Sequence, residues 1–242
     1  MALLARLLSL VYPPRCVACD ELLADERPFC DRCAESLYPI DVACRRCSLP
    51  LDLAPERAPS VCRRCRLVPP AFSGLIAPYR YGGELATALR RLKFDRRADI
   101  ARSLARDPAL IRSFAAAAGS ADVAISVPLH WRRLVARGFN QAALLLTELR
   151  RAAGSPIRID TTAFTRRSAT APQSGLTARQ RRRNVAGAFE PTRRGGSRIA
   201  GLRILLMDDI VTTGATMAAA ASSLLRAGAD DVIGFAVARA EI

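Results

Sequence analysis

The chain has 242 residues, which is enough for one sizeable domain or two small ones, and 50% of its residues are hydrophobic. This composition excludes a disordered tail protein. A formal net charge of +15 and an isoelectric point near 10.7 indicate acidic partners, either phosphate esters or nucleic acid.

Charge and cysteine content divide the chain into two modules. Residues 1–70 carry a formal charge of only +1, whereas residues 71–242 carry +14, of which +9 falls within 158–203. All eight cysteines lie between residues 16 and 65. Pro69 and Pro70 form a natural linker. We therefore predict a small cysteine-rich module at 1–69 and a basic domain at 70–242.

The first fourteen residues begin with a mostly apolar stretch that is interrupted by Arg6 and ends at Pro13 and Pro14. This stretch is too short to span a bilayer, and it lacks the basic start and small-residue cleavage site of an export signal. We expect an amphipathic helix that packs on the body of the protein, with a membrane-surface anchor as the alternative. We also expect no stable membrane insertion and a cytoplasmic location.

The cysteines form four CxxC pairs, and successive pairs are separated by 10, 10 and 14 residues. Two such pairs supply the four thiolates of one tetrahedral zinc ion, so the pattern predicts two structural zinc sites. The simplest grouping is sequential, with Cys16, Cys19, Cys30 and Cys33 in one site and Cys44, Cys47, Cys62 and Cys65 in the other. The spacing also permits an interleaved grouping. Disulfides would need an oxidising compartment, and a redox motif would need only one pair.

An amphipathic helix is predicted at 84–95, with an apolar face formed by Leu85, Leu89, Leu92 and Phe94. Lys93 is the only lysine in the sequence. Its position fits a phosphate contact and a solvated helix face equally well.

A buried strand is predicted at 122–127, and the loop after it should reach the carboxyl edge of a parallel sheet. Arg132, Arg133 and Arg137 in this loop are candidates to bind a pyrophosphate, and a helix to about Arg151 follows. His130 is the only histidine in the sequence. We favour a structural or solvated histidine over one in acid–base catalysis, because no carboxylate partner is evident nearby in the sequence.

A polar, arginine-rich insert occupies residues 164–189. It fits a hairpin that closes over a bound anion, and it also fits a solvated run of charge. Its candidate anion ligands are Arg166, Arg167, Gln173, Arg181 and Asn184.

The most informative stretch is 204–216. Four apolar residues predict a buried strand, which ends in Asp208 and Asp209. A hydroxyl-rich loop and a helix that ends at Gly228 come next, so backbone N–H groups and the positive end of a helix should surround one point at the sheet edge. This arrangement predicts a phosphate cradle. It is not a Walker A loop, since no Gly-Lys-Thr/Ser follows the glycine.

This stretch resembles the thirteen-residue signature of phosphoribosyltransferases, which bind phosphoribosyl pyrophosphate (PRPP). The resemblance implies that Asp208 and Asp209 face the 2′ and 3′ hydroxyls of the ribose and that Mg2+ accompanies the PRPP. It also implies that the 5′-phosphate is wrapped by Thr212, Thr213, Gly214, Ala215 and Thr216.

The order of features along the chain resembles the ComF family: a double zinc ribbon, Tyr79-Arg-Tyr-Gly-Gly83, Arg137-Gly-Phe-Asn-Gln141, and then the acidic pair with its Thr/Gly loop. The resemblance implies a type I phosphoribosyltransferase-like α/β fold, in which a parallel sheet is flanked by helices and preceded by the zinc module. It also implies a role in DNA uptake and natural transformation. Two activities fit: phosphoribosyl transfer to an unknown acceptor, and non-catalytic binding of single-stranded DNA or competence proteins.

Overall fold

The computed structural model describes residues 13–53, 56, 59–167, 180, 185 and 187–241. The expected N-terminal helix and the insert residues Gln173, Arg181 and Asn184 fall outside this set. Within it, no helix is long and apolar enough to cross a membrane.

The main sheet is parallel throughout, in the order β1-β8-β7-β3-β4, with β2 also paired to β8. A separate antiparallel hairpin is formed by β5 and β6. The described strands are β1 (Gly74–Ile76), β2 (Tyr79–Arg80), β3 (Val123–Ser126), β4 (Arg158–Ile159), β5 (Phe164–Arg166), β6 (Phe189–Pro191), β7 (Arg203–Val211) and β8 (Asp231–Arg239).

Helices cover both faces of the sheet. Alternate residues of each strand point to opposite faces, so each strand contributes side chains to both helix-covered cores. Leu205 and Met207 of β7 face one hydrophobic cluster, and Ile204 and Leu206 face the other. The described helices are α1 (Asp31–Ala34), α2 (Arg63–Leu67), α3 (Gly83–Phe94), α4 (Asp99–Leu104), α5 (Pro108–Gly119), α6 (Trp131–Arg137), α7 (Gln141–Ala152), α8 (Gly195–Ile199) and α9 (Ala215–Arg226). The predicted parallel sheet with flanking helices is confirmed.

The structure differs from the sequence prediction at the end of β7. This strand continues past Asp208 and Asp209 as far as Val211 instead of ending at them. It is longer because β8 continues to pair with it, up to Val211 opposite Arg239, whereas its pairing with β3 stops at Met207. The acidic pair therefore lies on the part of β7 that extends beyond β3 and is paired with β8 alone.

Two helical features also differ from the prediction. The arginines of the expected loop lie on a short helix, α6, which has no buried residues. Phe94 at the end of α3 is 68% exposed instead of joining the apolar face. Two residues along a helix correspond to a rotation of about 200°, so Phe94 lies almost opposite Leu92.

The first zinc ribbon is part of the main core. Cys16, Val17, Phe29 and Cys30 belong to the same hydrophobic cluster as α3, α4, α5 and α7. The second ribbon instead forms a small cluster of its own, centred on Cys44, Cys62 and Cys65.

The first ribbon also caps the start of α3. The hydroxyl of Ser36 accepts a hydrogen bond from the Glu84 N–H at 3.1 Å. Gly83 has a φ of +50°, and a Cβ at this position would lie 2.2 Å from the Ser36 carbonyl oxygen. Glycine is therefore required both by the backbone conformation and by the close approach of the ribbon.

Candidate functional site

Two four-cysteine sites are present, and their grouping is sequential. The ligand atoms lie within 4.8 Å of one another in each site, Cys16, Cys19, Cys30 and Cys33 in the first and Cys44, Cys47, Cys62 and Cys65 in the second. The Sγ atoms of Cys19 and Cys30 are 3.8 Å apart, as are those of Cys47 and Cys62. A tetrahedral zinc ion with Zn–S bonds near 2.3 Å separates its ligands by about 3.8 Å. The eight thiols are free rather than disulfide-bonded, and their geometry fits zinc.

The thiols of each site differ in acidity. Burial opposes ionisation of Cys16, but backbone N–H donors, chiefly from Cys30 and Cys19, lower its pKa to about 7. The pKa of Cys44 is lowered to about 7 in the same way. Burial and the neighbouring cysteines raise the pKa of Cys33 and of Cys65. A divalent cation would favour the thiolate form of all four ligands in each site.

A cleft of about 410 Å³ opens at the carboxyl edge of the sheet. It lies where ligands bind in open parallel α/β sheets. The residues that line it come from α3, β5, α6, α7, β7 and the start of α9. They include Tyr81, Arg90, Lys93, Phe94, Arg133, Arg137, Asn140, Gln141, Arg166, Asp208, Asp209, Thr212, Gly214, Ala215 and Thr216.

The two carboxylates of the acidic pair have different surroundings. Asp209 is only 3% exposed, and its Oδ2 lies 2.6 Å from the Nζ of Lys93. Asp208 is partly buried. Burial in the cleft wall and the neighbouring Asp209 charge raise the pKa of Asp208 above its usual range. The predicted ligand pair thus has one carboxylate held by a lysine and one held close to a like charge.

The loop after β7 leads directly into α9. Gly214, with a φ of +76°, is the residue before the helix and favours a left-handed backbone. Thr212, Gly214, Ala215 and Thr216 line the cleft, so the positive end of a helix faces it. Thr213 differs from the other predicted ligands, because it does not line the cleft; it is buried and lines a second cavity, which Gly214 and Ala215 also border.

Three of the predicted arginines line the cleft. Arg133 and Arg137 come from α6, and Arg166 comes from β5. Burial lowers the pKa of Arg166 and of Arg137, and the charge of Arg133 adds to both effects. Both groups still remain protonated at neutral pH. The arginines therefore share the cleft with the acidic pair.

Two predicted arginines lie elsewhere. The guanidinium of Arg132 lies 5.4 Å from the centroid of the exposed Trp131 ring. Arg167 is paired with Glu190 across the hairpin at 3.4 Å. Gln173, Arg181 and Asn184 lie outside the part of the chain that the structure describes.

Several cleft residues escaped the sequence analysis. Asn140 caps α7 by accepting from the Ala142 N–H at 3.0 Å, and it donates to the Val127 carbonyl at the end of β3. Gln141 is 3% exposed, and among the described residues its Oε1 has no hydrogen-bond partner. Both lie in the Arg137–Gln141 motif, whose position after a strand was the available signal. Phe94 and Arg90 carried no such signal.

His130 is a buried structural residue, not a solvated one. It is 6% exposed, and its Nδ1 accepts the backbone N–H of Arg132 at 3.3 Å at the start of α6. This contact fixes the helix that carries Arg133 and Arg137.

Comparison with known proteins supports the modular organisation. A family model described as a double zinc ribbon domain matches residues 7–66. The chain is 36% identical over 228 residues to the DNA utilization protein YhgH of Salmonella typhi, covering 92% of this chain and 96% of that protein. It is 35% identical to the protein of the same name from Escherichia coli strain K12, covering 91% and 94%, and 27% identical to competence protein F of Haemophilus influenzae, covering 93% and 97%. With the cleft and the two four-cysteine sites described above, these similarities show that the chain belongs to the ComF family.

Proposed function

We propose that the cleft binds PRPP or a closely related phosphoribosyl ligand. The observation that carries this proposal is the arrangement of charge in one cleft. Asp208 and the N-terminus of α9 lie at the end of β7, and Arg133, Arg137 and Arg166 line the same cleft. A ligand that carries a hydroxylated sugar and two phosphate groups matches this combination of acidic and basic groups.

Each part of such a ligand has a counterpart in the cleft. The loop from Thr212 to Thr216 would hold the 5′-phosphate through backbone N–H groups and hydroxyls. Asp208 would accept hydrogen bonds from the ribose hydroxyls, while Asp209 stays paired with Lys93. The arginines would hold the pyrophosphate, and Mg2+ bound with PRPP would neutralise part of its charge. Insert residues Gln173, Arg181 and Asn184 remain candidates to close over the same group.

The same arrangement supports phosphoribosyl transfer as the associated chemistry. In that reaction the bond between the anomeric carbon and pyrophosphate breaks, and a bond to the acceptor nucleophile forms. The negative charge that develops on the departing pyrophosphate would be stabilised by Arg133, Arg137 and Arg166. Turnover is tested by incubating the protein with Mg2+, PRPP and a panel of bases and measuring released pyrophosphate.

Calorimetric titration with Mg2+–PRPP tests the binding proposal. We expect saturable binding by the wild-type protein and none by the Asp208→Asn variant, which keeps the shape of the side chain but removes the carboxylate. The Asp230→Asn variant makes the same change at an exposed aspartate after α9 that does not line the cleft, so it is the matched control and should bind as the wild type does. Absence of binding by the wild type would contradict the proposal.

We further propose that the protein acts in DNA uptake. The support is the family and the names of its relatives, DNA utilization protein and competence protein F. The eight free thiols favour a reducing compartment, which is the support for a cytoplasmic location.

Binding of single-stranded DNA is a second candidate function, and α6 is the observation that favours it. This helix exposes Trp131, Leu134 and Val135 to 61%, 42% and 73%. Arg132 stacks against Trp131, and Arg137 lies 5.5 Å from the ring centroid of the exposed Phe94. Aromatic rings with interleaved arginines bind bases by stacking and phosphates by charge.

The single tryptophan makes this second function testable by fluorescence. Titration with oligothymidylate should quench Trp131 emission, with an affinity that falls steeply as salt is added. Affinity measured with a labelled oligonucleotide should fall about tenfold in Trp131→Ala and be retained in Trp131→Phe. Equal affinity of the wild type and the alanine variant would place any DNA-binding surface elsewhere.

A further inference from the structure

The second zinc ribbon contacts the phosphate loop directly, on the side away from the cleft. Arg64 lies between the ligands Cys62 and Cys65 on α2. Its Nη2 donates a hydrogen bond to the carbonyl oxygen of Thr213 at 2.8 Å. A residue held by the metal site thus fixes one peptide group of the loop.

A second arginine reaches the same loop from the end of β8. Arg239 is 3% exposed, and its Nε donates to the carbonyl of Cys47, another ligand of the second site, at 2.9 Å. Its Nη1 donates to the carbonyls of Val211, at 3.2 Å, and of Thr212. Its guanidinium therefore joins the backbone of the ribbon to the backbone of the loop.

These contacts determine where the loop's N–H groups point. In a trans peptide the carbonyl of one residue and the N–H of the next point in opposite directions, and no cis peptide bond occurs in the described chain. The carbonyls of residues 211, 212 and 213 are bound on the ribbon side. The N–H groups of residues 212, 213 and 214 are therefore directed towards the cleft. Consecutive N–H groups beside a left-handed glycine such as Gly214 form an anion-binding concavity.

The space behind the loop makes the arginines necessary for this orientation. A cavity of about 510 Å³ lies there, lined by Arg64, Arg239, Pro69 and Thr213 among others. Because the loop borders a cavity on this side instead of a packed core, hydrogen bonds rather than side-chain packing hold its carbonyls.

We propose that Arg64 and Arg239 are positioning residues, through which the second four-cysteine site sets the geometry of the anion-binding loop. This inference extends the proposed PRPP function, on which its affinity test rests. It assigns the second ribbon a part in ligand binding, in addition to its part in folding. When zinc is bound, it fixes the segment between Cys62 and Cys65 from which Arg64 reaches the loop.

Hydrogen exchange tests the proposal without any ligand. In Arg64→Met, amide exchange measured by mass spectrometry across residues 208–217 should be about tenfold faster than in the wild type, with two zinc ions still bound per chain. The matched control is Arg63→Met, because Arg63 is also an exposed arginine of α2 and makes no hydrogen bond or ion pair with the described residues. Arg64→Lys, which keeps one donor, should restore part of the slow exchange.

Affinity provides the second measurement. We expect Arg64→Met to bind Mg2+–PRPP about tenfold more weakly than the wild type, with Arg63→Met unchanged. Unchanged loop exchange in Arg64→Met, the same acceleration in Arg63→Met, or loss of zinc from Arg64→Met would each overturn the inference. A wild-type protein that binds no PRPP but shows the exchange difference would overturn the proposed ligand and leave the positioning role supported.

Discussion

The two zinc ribbons are built from the same ligand pattern but are attached to the domain in different ways. The first shares the hydrophobic core, caps α3 through Ser36, and is held by Arg91, which donates to the carbonyls of Val17 and Ala18 at 3.1 and 2.9 Å. The second has a small cluster of its own and is joined to the domain by hydrogen bonds: Arg64 and Arg239 connect it to the phosphate loop, and Ser48 bonds the backbone of Ala77 between β1 and β2. Equivalent metal sites can thus support stability in one place and site geometry in another.

The two attachments also hold different elements that line the cleft. The first ribbon fixes α3, whose Lys93 pairs with Asp209 on β7. The second fixes the loop at Thr213. The cleft is therefore positioned from both ends of the cysteine-rich module.

The largest expected effect comes from removing one ligand of each site. Cys33 and Cys65 are matched, because each is the fourth ligand of its site, lies on a short helix and is about 5% exposed. A structural zinc ion contributes about 10–16 kcal/mol, which is comparable to the stability of a whole domain. Because the first site is part of the core, Cys33→Ser should prevent cooperative folding.

In Cys65→Ser, by contrast, we expect a folded sheet domain with one zinc ion and rapid exchange in the phosphate loop. Thermal melting and zinc content measure both outcomes. If the two variants melted alike, the difference that we draw between the ribbons would be wrong.

A smaller effect is expected from the arginines that join each ribbon to the domain. Arg91 is 17% exposed in its side chain and also pairs with Asp20. Losing its hydrogen bonds to two buried carbonyls and this partner should lower the free energy of unfolding by about 2 kcal/mol in Arg91→Met. Arg64→Met should lower it by less than about 1 kcal/mol. Urea titration compares the two, and an equal loss in both would remove the contrast.

A gain in stability is expected in the cleft itself. Because burial and Asp209 raise the pKa of Asp208, its carboxylate disfavours the folded state. This cost in folding free energy is absent below the usual pKa of 3.8. It grows as the pH rises from 3.8 to the raised folded-state pKa, and it is fully present above that pKa. Asp208→Asn should therefore raise the melting temperature at neutral pH and have no effect near pH 3, as thermal melts at the two pH values would measure.

The smallest effect concerns Gln141. Its unpartnered Oε1 makes it a candidate acceptor for a ligand hydroxyl or N–H. Gln141→Met, which has a similar volume, should leave the melting temperature within about 2 °C of the wild type or raise it slightly, since no hydrogen bond of this atom is lost. Mg2+–PRPP affinity should fall about threefold. An unchanged affinity for Mg2+–PRPP would show that Gln141 packs in the cleft wall without binding the ligand.

The sequence predicted the parts of the molecule that have a local signature. CxxC spacing gave both metal sites, and the apolar run before Asp208 with the Thr/Gly loop after it gave the strand, turn and helix. The sequential grouping, which the spacing favoured as the simplest without excluding an interleaved one, is confirmed. The attachment of each ribbon was not readable, because it depends on contacts between distant residues. Arg64 and Thr213 are 149 residues apart in sequence.

Helix α6 and Lys93 illustrate the same limit. Trp131, Leu134 and Val135 have the spacing of one helix face, but the segment is only seven residues long and this face is exposed instead of packing on the core, so the pattern alone did not distinguish a helix from a loop. For Lys93, the sequence left a phosphate contact and a solvated position equally open. The structure places it against Asp209 because α3 crosses the end of β7, which only the tertiary fold establishes.

Lys93 also gives the protein a single side chain that amine-selective reagents can modify. It is the only lysine among 242 residues, and its side chain is 21% exposed within the cleft. An amine-selective acylating reagent can therefore modify only this side chain and the chain terminus. The rate at which the internal site reacts would report directly on whether the cleft is occupied and on whether the ion pair with Asp209 is intact. Because this measurement needs no amino-acid substitution, it could rank candidate ligands by how much each slows acylation of the native protein.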